Sequence, residues 1–410
     1  MTLIPTRVLI VGGSYAGVGA ALSLLNLCVR RVTRFGTAYH APPEVKDDIA
    51  LDIHIVDERD GYLHLIGCPL AFCSSDYAPK IWHKFEDIPA LRHPSIRWTR
   101  GSVVKVDTNA LTAKIRHAGS DIESQHAYDY LIAASGLRRA FPVVPQSLTR
   151  KQYLLETADH ARKVQQTKNG VAVIGGGAVG VEMAAELKLV QPNQKVTLIH
   201  SRDRLLSSES LPAECSKLTI NALKELGVDV VLGERVVETT AASGGDGETI
   251  HRIALQSGTV LTAGHVIFAA SGSVPTGTYL PRSCLDEKGY VKINKHLRFL
   301  NGERNDERHY AIGDMAKWSG IKRCGGAIAM GRTVAVNLYQ QIIAEKYKIA
   351  PKFEEWPEIP PMIALAIGNQ AMVYAPEMGA SCSESNAKIY FRDDLAFDQC
   401  WDHMKMSERW

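Results

Sequence analysis

The sequence predicts an α/β chain with two Rossmann-like domains and a small C-terminal α+β segment. A β-rich run, a glycine turn and an apolar helical stretch follow one another between residues 7 and 27. The same succession returns between residues 171 and 189, so one structural unit is used twice. After residue 353, Trp-Pro and Pro-Pro pairs and aromatic residues indicate a separate layer. The chain has 410 residues, enough for roughly two or three domains.

The other elements follow from shorter patterns. A polar segment at 30–48 is typical of a surface insertion in the first unit, and a proline-containing connector at 141–146 places a domain boundary near residue 150. A glycine-rich hairpin tip is expected at 243–248. Further strands are expected at 51–56, 96–106, 111–117, 128–134, 195–200 and 266–272.

Composition excludes several classes of protein. The formal charge of +3 comes from 47 basic and 44 acidic residues spread along the chain, which argues against a nucleic-acid partner. Apolar runs are strand-sized, so no membrane span is expected and any membrane contact would be peripheral, for example at an organelle. Eight scattered cysteines and the lack of a secretory segment favour a reducing, cytoplasmic location.

Both glycine turns have the residues needed to bind a pyrophosphate. Backbone N–H groups and a helix N-terminus attract phosphate, and glycines let the ligand approach them. A single turn of this kind can simply pack a helix on a strand, but two copies in this context favour dinucleotide binding. The candidate residues are Gly12, Gly13, Ser14, Tyr15, Ala16 and Gly17 in the first turn, and Gly175, Gly177, Ala178, Val179 and Gly180 in the second.

The end of the second strand in each unit indicates which dinucleotide binds. Asp57 ends that strand in the first unit and is expected to bind the ribose, with Glu58 as the alternative. The matching strand of the second unit runs into His200, Ser201 and Arg202, which offer no carboxylate and a cation for a 2′-phosphate. NADPH is therefore favoured; if these are merely solvated loop residues, NADH binds as well.

These motifs resemble the two-dinucleotide flavoproteins of the pyridine nucleotide-disulfide oxidoreductase superfamily, in particular the branch of apoptosis-inducing factor, ferroptosis suppressor protein and type II NADH dehydrogenases. The resemblance rests on VGGSYAG, YDYLIAASG, VIGGGAVGVEMAAE, HVIFAASGSVP and HYAIGDMA. It implies a glutathione-reductase-like arrangement: a discontinuous FAD-binding domain at 1–150 and 285–352, an NAD(P)H-binding domain at 151–284, and a C-terminal cap or interface domain at 353–410.

The resemblance also implies roles for individual residues. Asp314, after Gly313, would bind the flavin ribityl hydroxyls, and Glu182 would face the nicotinamide and flavin edge as the catalytic candidate. Glu182 could instead only complement the helix dipole. Further cofactor-binding residues implied by the resemblance are Val104, Ser135, Gly136 and Gly272.

Cys68 and Cys73 have the spacing of the redox pair in flavin disulfide reductases, which is the alternative chemistry. The glycine-rich lead-in of such pairs is missing and the C-terminal segment is short, so the two cysteines are interpreted as small buried apolar residues. No metal is predicted, because the 14 histidines show no ligand spacing.

The C-terminal segment contains a short amphipathic stretch. Its apolar residues are Ala396, Phe397, Cys400, Trp401 and Met404, which share one helical face. That face is expected to cover the protein's own core, with a dock for a membrane or quinone as the alternative.

The function expected from these features is that of an FAD-dependent NAD(P)H oxidoreductase, monomeric or homodimeric. Hydride would pass from NADPH to the flavin, and electrons would then pass to a quinone or similar small conjugated acceptor. Three alternatives stay open: disulfide reduction at Cys68 and Cys73, a tailoring oxidoreductase for one metabolite, and a redox-sensing flavoprotein scaffold.

Overall fold

The structure is a computed structural model that describes residues 4–243, 249–270, 272–300 and 302–410. Residues 244–248 of the expected hairpin tip lie outside the described residues. The strands on either side of it, which end at Ser243 and begin at Thr249, pair antiparallel with these two residues opposite each other.

The elements are numbered in chain order. The first part of the chain contains β1 (Thr6–Val11), α1 (Tyr15–Cys28), β2 (Leu51–Asp57), β3 (Gly61–Leu63), α2 (Cys68–Ala71), β4 (Trp82–Lys84), β5 (Ile96–Asp107), β6 (Thr112–His117), β7 (Glu123–Ala127), β8 (Tyr130–Ala133), β9 (Leu137–Arg138) and α3 (Arg150–Gln166). The middle contains β10 (Val171–Ile174), α4 (Ala178–Val190), β11 (Val196–Ile199), α5 (Ala213–Leu226), β12 (Val228–Val231), β13 (Val236–Ser243), β14 (Thr249–Leu255), β15 (Val260–Ala263), β16 (His265–Phe268) and β17 (Val274–Pro275). The last part contains β18 (His309–Ala311), α6 (Cys324–Tyr347), β19 (Ile363–Ile367), β20 (Gln370–Ala375), β21 (Gly379–Ser383), α7 (Glu384–Tyr390) and α8 (Phe397–His403).

The larger sheet has the strand order β18-β8-β1-β2-β5-β6-β7. Its strands from β18 to β5 run parallel, and β6 and β7 add an antiparallel edge. Strands β18, β8, β1 and β2 are mostly buried, as is usual in parallel sheets, whereas β5 is partly exposed. All 14 residues of α1 are buried, and α1 packs against α6. A Cβ on Gly331 of α6 would lie 2.7 Å from the Ala16 carbonyl oxygen, so this close crossing requires glycine.

The second sheet is parallel, with the order β12-β11-β10-β16, and α4 and α5 pack on it. An antiparallel sheet of β13, β14 and β15 follows α5 and β12 in the chain. The two connections between the larger and the second sheet pair with each other as β9 and β17. This pairing fixes the path by which the chain enters and leaves the second unit.

The C-terminal segment forms an antiparallel sheet of β19, β20 and β21 with two short helices. Strand β19 packs on α4, and β21 packs on α5. In α8, Cys400 is buried, and Met404 just after the helix is fully buried in the core around α1 and α6. This agrees with the expectation that the apolar face of this stretch covers the protein's own core. The predicted fold class, two Rossmann-like sheets and a small C-terminal α+β segment, is confirmed; the domain boundaries stay predictions.

Candidate functional site

The first glycine turn joins β1 to α1 and contains positions where only glycine fits. Gly12 has a φ of +111°, and a Cβ there would lie 2.4 Å from the Ala134 carbonyl oxygen. A Cβ on Gly17 would lie 1.8 Å from the Gly12 carbonyl oxygen. The absence of these side chains lets α1 start close to the strand, with its first N–H groups directed at the turn, an arrangement that binds phosphate.

A carboxylate borders this turn at the end of β2. Asp57 accepts hydrogen bonds from the Gly13 N–H at 2.6 Å and the Arg59 N–H at 2.8 Å. Burial raises the pKa of Asp57, and the contacts with Arg59 and Gly13 oppose the rise. The Ser14 hydroxyl is buried nearby and has no hydrogen-bond partner among the described residues. The turn thus carries a carboxylate and an unused hydroxyl that can bind sugar or phosphate oxygens.

Glu58, the other candidate for the ribose, makes different contacts. Its carboxylate accepts a hydrogen bond from the Ser102 hydroxyl at 3.0 Å and pairs with Arg138 at 2.9 Å. These contacts engage Glu58 away from the Gly13 N–H that Asp57 binds. Asp57 is therefore the better placed of the two acids.

The segment that follows β18, far along the chain, lies next to the first glycine turn. Gly313 has a φ of +71°, and a Cβ there would lie 3.2 Å from the Cβ of Ala16. Asp314 follows, and its carboxylate lies 3.2 Å from the Arg139 guanidinium. The fold therefore brings the predicted Gly313 and Asp314 to the predicted glycine turn.

Ser135 and Gly136 lie where β8 leads into the second unit. The Ser135 hydroxyl donates to the Thr276 carbonyl at 3.2 Å and lies 3.1 Å from the Tyr279 hydroxyl. Gly136 has a φ of +71°, and its carbonyl accepts the Thr276 N–H at 3.2 Å. Both residues thus help to hold the connection between the two units.

The second glycine turn repeats the geometry of the first. Gly175 has a φ of +122°, and a Cβ on Gly180 would lie 1.8 Å from the Gly175 carbonyl oxygen, as in the first turn. A Cβ on Gly177 would meet nothing within 4 Å. Gly177 corresponds to Ser14 of the first turn, which explains why that turn tolerates serine at this place.

The remaining predicted cofactor residues lie near these turns or on β5. Ala178 and Val179 begin α4 and are partly exposed, and Gly272 follows β16 with open space where a Cβ would lie. Val104 lies at a bulge of β5 and lines a cavity of about 340 Å³ together with Thr278. The structure therefore places Ala178 and Val179 at the second turn and Gly272 in the connection after β16, whereas Val104 lies on β5 of the larger sheet.

His200 takes the place at the second turn that Asp57 takes at the first. Its Nδ1 accepts the Gly176 N–H at 3.1 Å, and its Nε2 lies 3.0 Å from the Ser207 hydroxyl. Burial, with the nearby Arg202 guanidinium, lowers the pKa of His200, which favours the neutral ring. Ser201 and Arg202 follow it and are exposed, so this turn carries an imidazole where the first carries a carboxylate, with an exposed cation two residues further on.

Two carboxyl groups lie one helical turn apart on α4. Burial raises the pKa of Glu182 to about 7, against opposing effects of Arg323 and the Ala366 N–H. Burial and the charge of Glu182 raise the pKa of Glu186 to about 8. Glu186 is only 1% exposed, and its Oε1 has no hydrogen-bond partner among the described residues. Near neutral pH both groups can therefore hold a proton.

Cys68 and Cys73 lie on and after α2 and are both buried. Burial raises the pKa of Cys68 to about 12 and raises that of Cys73 further. Because thiol–disulfide exchange requires a thiolate, these surroundings disfavour that chemistry at neutral pH. They agree with the interpretation of the two cysteines as small apolar core residues.

Three polar residues at the site escaped sequence reasoning. Arg139 lies between the two units, 3.2 Å from both the Asp314 carboxylate and the Ser273 hydroxyl. His64 Nδ1 lies 3.0 Å from the Tyr15 hydroxyl, and Glu186 is buried on α4. Only Glu186 had a sequence signal, because its spacing of four residues puts it on the helical face of Glu182.

Neither a metal-binding cluster nor a membrane-spanning helix is found among the described residues. Among the residues that the structure describes, no group of three or more His, Cys, Asp or Glu side chains is arranged to hold a metal ion. Within the same residues, every helix is too short or too polar to cross a membrane.

Comparisons with known proteins agree with this geometry. The oxidoreductase OXR1 of Ajellomyces capsulatus is 47% identical over 409 residues, which cover 98% of this chain and 88% of that protein. Ferroptosis suppressor protein 1 of Taeniopygia guttata is 26% identical over 344 residues, 83% of this chain and 82% of that protein. The NADH-bound water-forming NADH oxidase from Lactobacillus brevis has the same fold, with a TM-score of 0.63 at 16% identity over 90% of this chain and 74% of that one.

These relatives confirm the resemblance seen in the motifs and the prediction of an FAD-dependent NAD(P)H oxidoreductase as the class of enzyme. The model of the family described as pyridine nucleotide-disulphide oxidoreductase matches residues 6–331, which include both glycine turns and Asp314. Because the family model matches most of the chain, the chain belongs to the pyridine nucleotide-disulphide oxidoreductase family.

Proposed function

We propose that this protein oxidises NADPH with the help of bound FAD and delivers the electrons to a quinone or a similar small conjugated acceptor. One observation carries the proposal: two glycine turns of the same geometry have different partners, a carboxylate at Asp57 and an imidazole at His200. The difference suits two different dinucleotides, one recognised through its ribose hydroxyls and one through a phosphate.

The first turn fits FAD. Glycine at positions 12 and 17 keeps the turn tight, because a Cβ there would collide with the Ala134 or the Gly12 carbonyl. The Ser14 hydroxyl lacks a partner among the described residues, and Asp57 offers carboxylate oxygens to ribose hydroxyls. Asp314 would hold the ribityl hydroxyls, with Arg139 fixing its carboxylate. Bound there, FAD would supply the hydride and electron-transfer chemistry that amino-acid side chains lack.

The second turn fits NADPH better than NADH. At the end of β11 the neutral His200 offers no acceptor charge for a 2′-hydroxyl, and the exposed Arg202 can pair with a 2′-phosphate. The pyrophosphate would lie at the N-terminus of α4, against Gly177, Ala178 and Val179.

Glu182 is the proposed catalytic residue. It lies in the second turn of α4, partly buried, close to the Arg323 and Arg139 side chains that come from the first unit and its return segment. With a pKa of about 7, its carboxyl can donate to or accept from the nicotinamide amide and can move a proton near neutral pH.

Anaerobic stopped-flow absorbance tests the function. The yellow protein should bleach rapidly with NADPH, more slowly with NADH, and regain its colour with a short-chain quinone. Cys68→Ser/Cys73→Ser should do the same, because the buried pair takes no part. A long-wavelength charge-transfer band that this double variant loses, with turnover of a disulfide, would establish disulfide reduction instead. Slow reduction by both nucleotides would favour the redox-sensing scaffold.

Ser201→Glu tests the assignment of the nucleotide. A carboxylate beside His200 would repel a 2′-phosphate and accept hydrogen bonds from a 2′-hydroxyl, so the ratio of kcat/KM for NADPH over NADH should fall about tenfold or more. Ser201→Gln has nearly the same shape without the charge and should change the ratio far less. Equal ratios in the wild type and both variants would show that the 2′-phosphate binds elsewhere.

A further inference from the structure

A buried chain of hydrogen bonds joins the first glycine turn to the C-terminal segment. Tyr15 is the first residue of α1, and its hydroxyl lies 3.0 Å from Nδ1 of His64. Nε2 of the same ring lies 2.8 Å from the carbonyl oxygen of Leu395, in the loop between α7 and α8. His64 is fully buried, and Tyr15 is 5% exposed. Two residues from opposite ends of the sequence are thus connected through one imidazole ring.

The direction of both hydrogen bonds follows from the partners. A backbone carbonyl can only accept, so Nε2 of His64 carries the hydrogen that it donates to Leu395. Burial lowers the pKa of His64 to about 4, so near neutral pH the ring is uncharged and Nδ1 keeps its lone pair. The Tyr15 hydroxyl therefore donates to Nδ1. The imidazole serves both partners only in this orientation.

Aromatic rings of α8 pack against the neighbours of Tyr15. Phe397 meets the His64 ring edge to face, with 5.5 Å between the ring centres. Trp401 meets Tyr62 in the same manner at 6.3 Å, and Tyr62 meets Tyr15 at 5.6 Å. Two side chains that contact Tyr15 therefore also contact α8.

The loop that offers the Leu395 carbonyl has a backbone conformation that its side chains disfavour. Leu395 and Ala396 have φ values of +52° and +64°, in the left-handed region that favours glycine. Such a backbone persists only where its surroundings fix it. Here the Tyr77 hydroxyl donates to the Asp394 carbonyl at 2.7 Å, next to the hydrogen bond from His64. Two side chains of the first unit thus hold the loop in place.

We propose that the C-terminal segment completes the proposed flavin site, and that His64 is the positioning residue that ties Tyr15 to this segment. The inference rests on the proposed function, because it concerns the turn to which FAD is assigned. If the loop moved away, His64 would lose the carbonyl that orients its ring, and the buried Tyr15 hydroxyl would lose its acceptor. A buried hydroxyl without an acceptor is unfavourable, so Tyr15 would turn and disturb the start of α1, where the pyrophosphate is expected to bind.

A second chain of the same chemistry provides a matched control. The Tyr128 hydroxyl lies 2.9 Å from Nε2 of His309, whose Nδ1 lies 2.7 Å from the Asn305 carbonyl oxygen. Tyr128 and His309 are 1% and 0% exposed, so this pair is buried like the first. They lie just before β8 and at the start of β18, whereas the glycine turn follows the end of the parallel strand β1. The second chain is therefore at the opposite edge of the sheet.

The test measures the release of FAD from the full-length holoprotein, read as a rise in flavin fluorescence after dilution, with no nucleotide or acceptor added. Tyr15→Phe and His64→Phe should each release FAD about tenfold faster than the wild type, the effect of one lost buried hydrogen bond. His64→Gln keeps one acceptor and one donor and should restore much of the retention. Tyr128→Phe should destabilise the fold about as much as Tyr15→Phe and release FAD like the wild type. Equal release from these two phenylalanine variants would overturn the proposal.

Tyr77→Phe tests whether the C-terminal segment acts through His64. This variant removes the hydrogen bond to Asp394 and should raise FAD release in the wild type, but add nothing in His64→Phe. Equal effects in both backgrounds would contradict transmission through the ring. If His64→Phe fails to fold, the same comparison is made in Tyr15→Phe, which lacks a single oxygen atom. Identical release from every variant refutes this inference alone, whereas a wild type that retains no FAD refutes the proposed function as well.

Discussion

Replacing Gly180 by alanine is expected to open the second glycine turn, lower the free energy of unfolding by about 3 kcal/mol, and remove the NADPH binding that we propose for this turn. The physical cause is a collision within the backbone, because the new Cβ would lie 1.8 Å from the Gly175 carbonyl oxygen. Neither atom belongs to a flexible side chain that could turn aside, so α4 must move away from β10. Urea unfolding and titration with NADPH measure the two effects.

Gly177→Ala is the matched control for folding. Its φ is −77°, and a Cβ there meets nothing within 4 Å, so the free energy of unfolding should stay close to that of the wild type. The two substitutions add the same methyl group three residues apart in one turn. Equal stability of the two variants would show that the turn is looser than its geometry indicates.

Glu186→Gln is expected to remove a loss of stability that the wild type suffers as pH rises. The pKa of the buried carboxyl is about 8 in the fold and has its ordinary value near 4.5 in the unfolded chain. Between these two values the folded state holds one more proton at this group than the unfolded state. The contribution of Glu186 to the free energy of unfolding is therefore greatest below pH 4.5 and falls until about pH 8. The loss from this group is about 5 kcal/mol, and glutamine, which carries no charge, escapes it.

Unfolding midpoints measured from pH 5 to pH 9 test this prediction. The variant should gain on the wild type as pH rises, and Glu214→Gln, which removes an exposed carboxylate of α5, should follow the wild type. Parallel pH profiles of wild type and Glu186→Gln would mean that Glu186 is ionised in the fold at neutral pH, with a stabilising partner.

Both glycine turns and the acid at the first could be predicted because their signals are local. The strand, the glycines and the helix are contiguous in sequence, and Asp57 directly ends a strand. Parallel pairing of β1 with β2 is enough to bring Asp57 next to the first glycine turn, and the two strands do pair in this way. The choice between Asp57 and Glu58 needed the structure, since the two differ only in their partners.

The segment at 30–48 shows why other features could not be predicted. Its polar composition indicated a surface insertion, yet Arg34 is 2% exposed, and Phe35 is buried beside the His403 ring at 5.3 Å between ring centres. Burial there depends on the C-terminal segment, almost the whole chain away.

Strand β18 and helix α6 are synthesised late, and this determines the order in which the protein can fold on the ribosome. All strands of the second sheet have been synthesised by residue 268, when the first sheet still lacks its edge strand and α1 lacks the helix that covers it. The apolar surface of α1 therefore stays uncovered during the synthesis of the second unit, a period in which a nascent chain needs protection from aggregation. The unit that begins first is thus completed last.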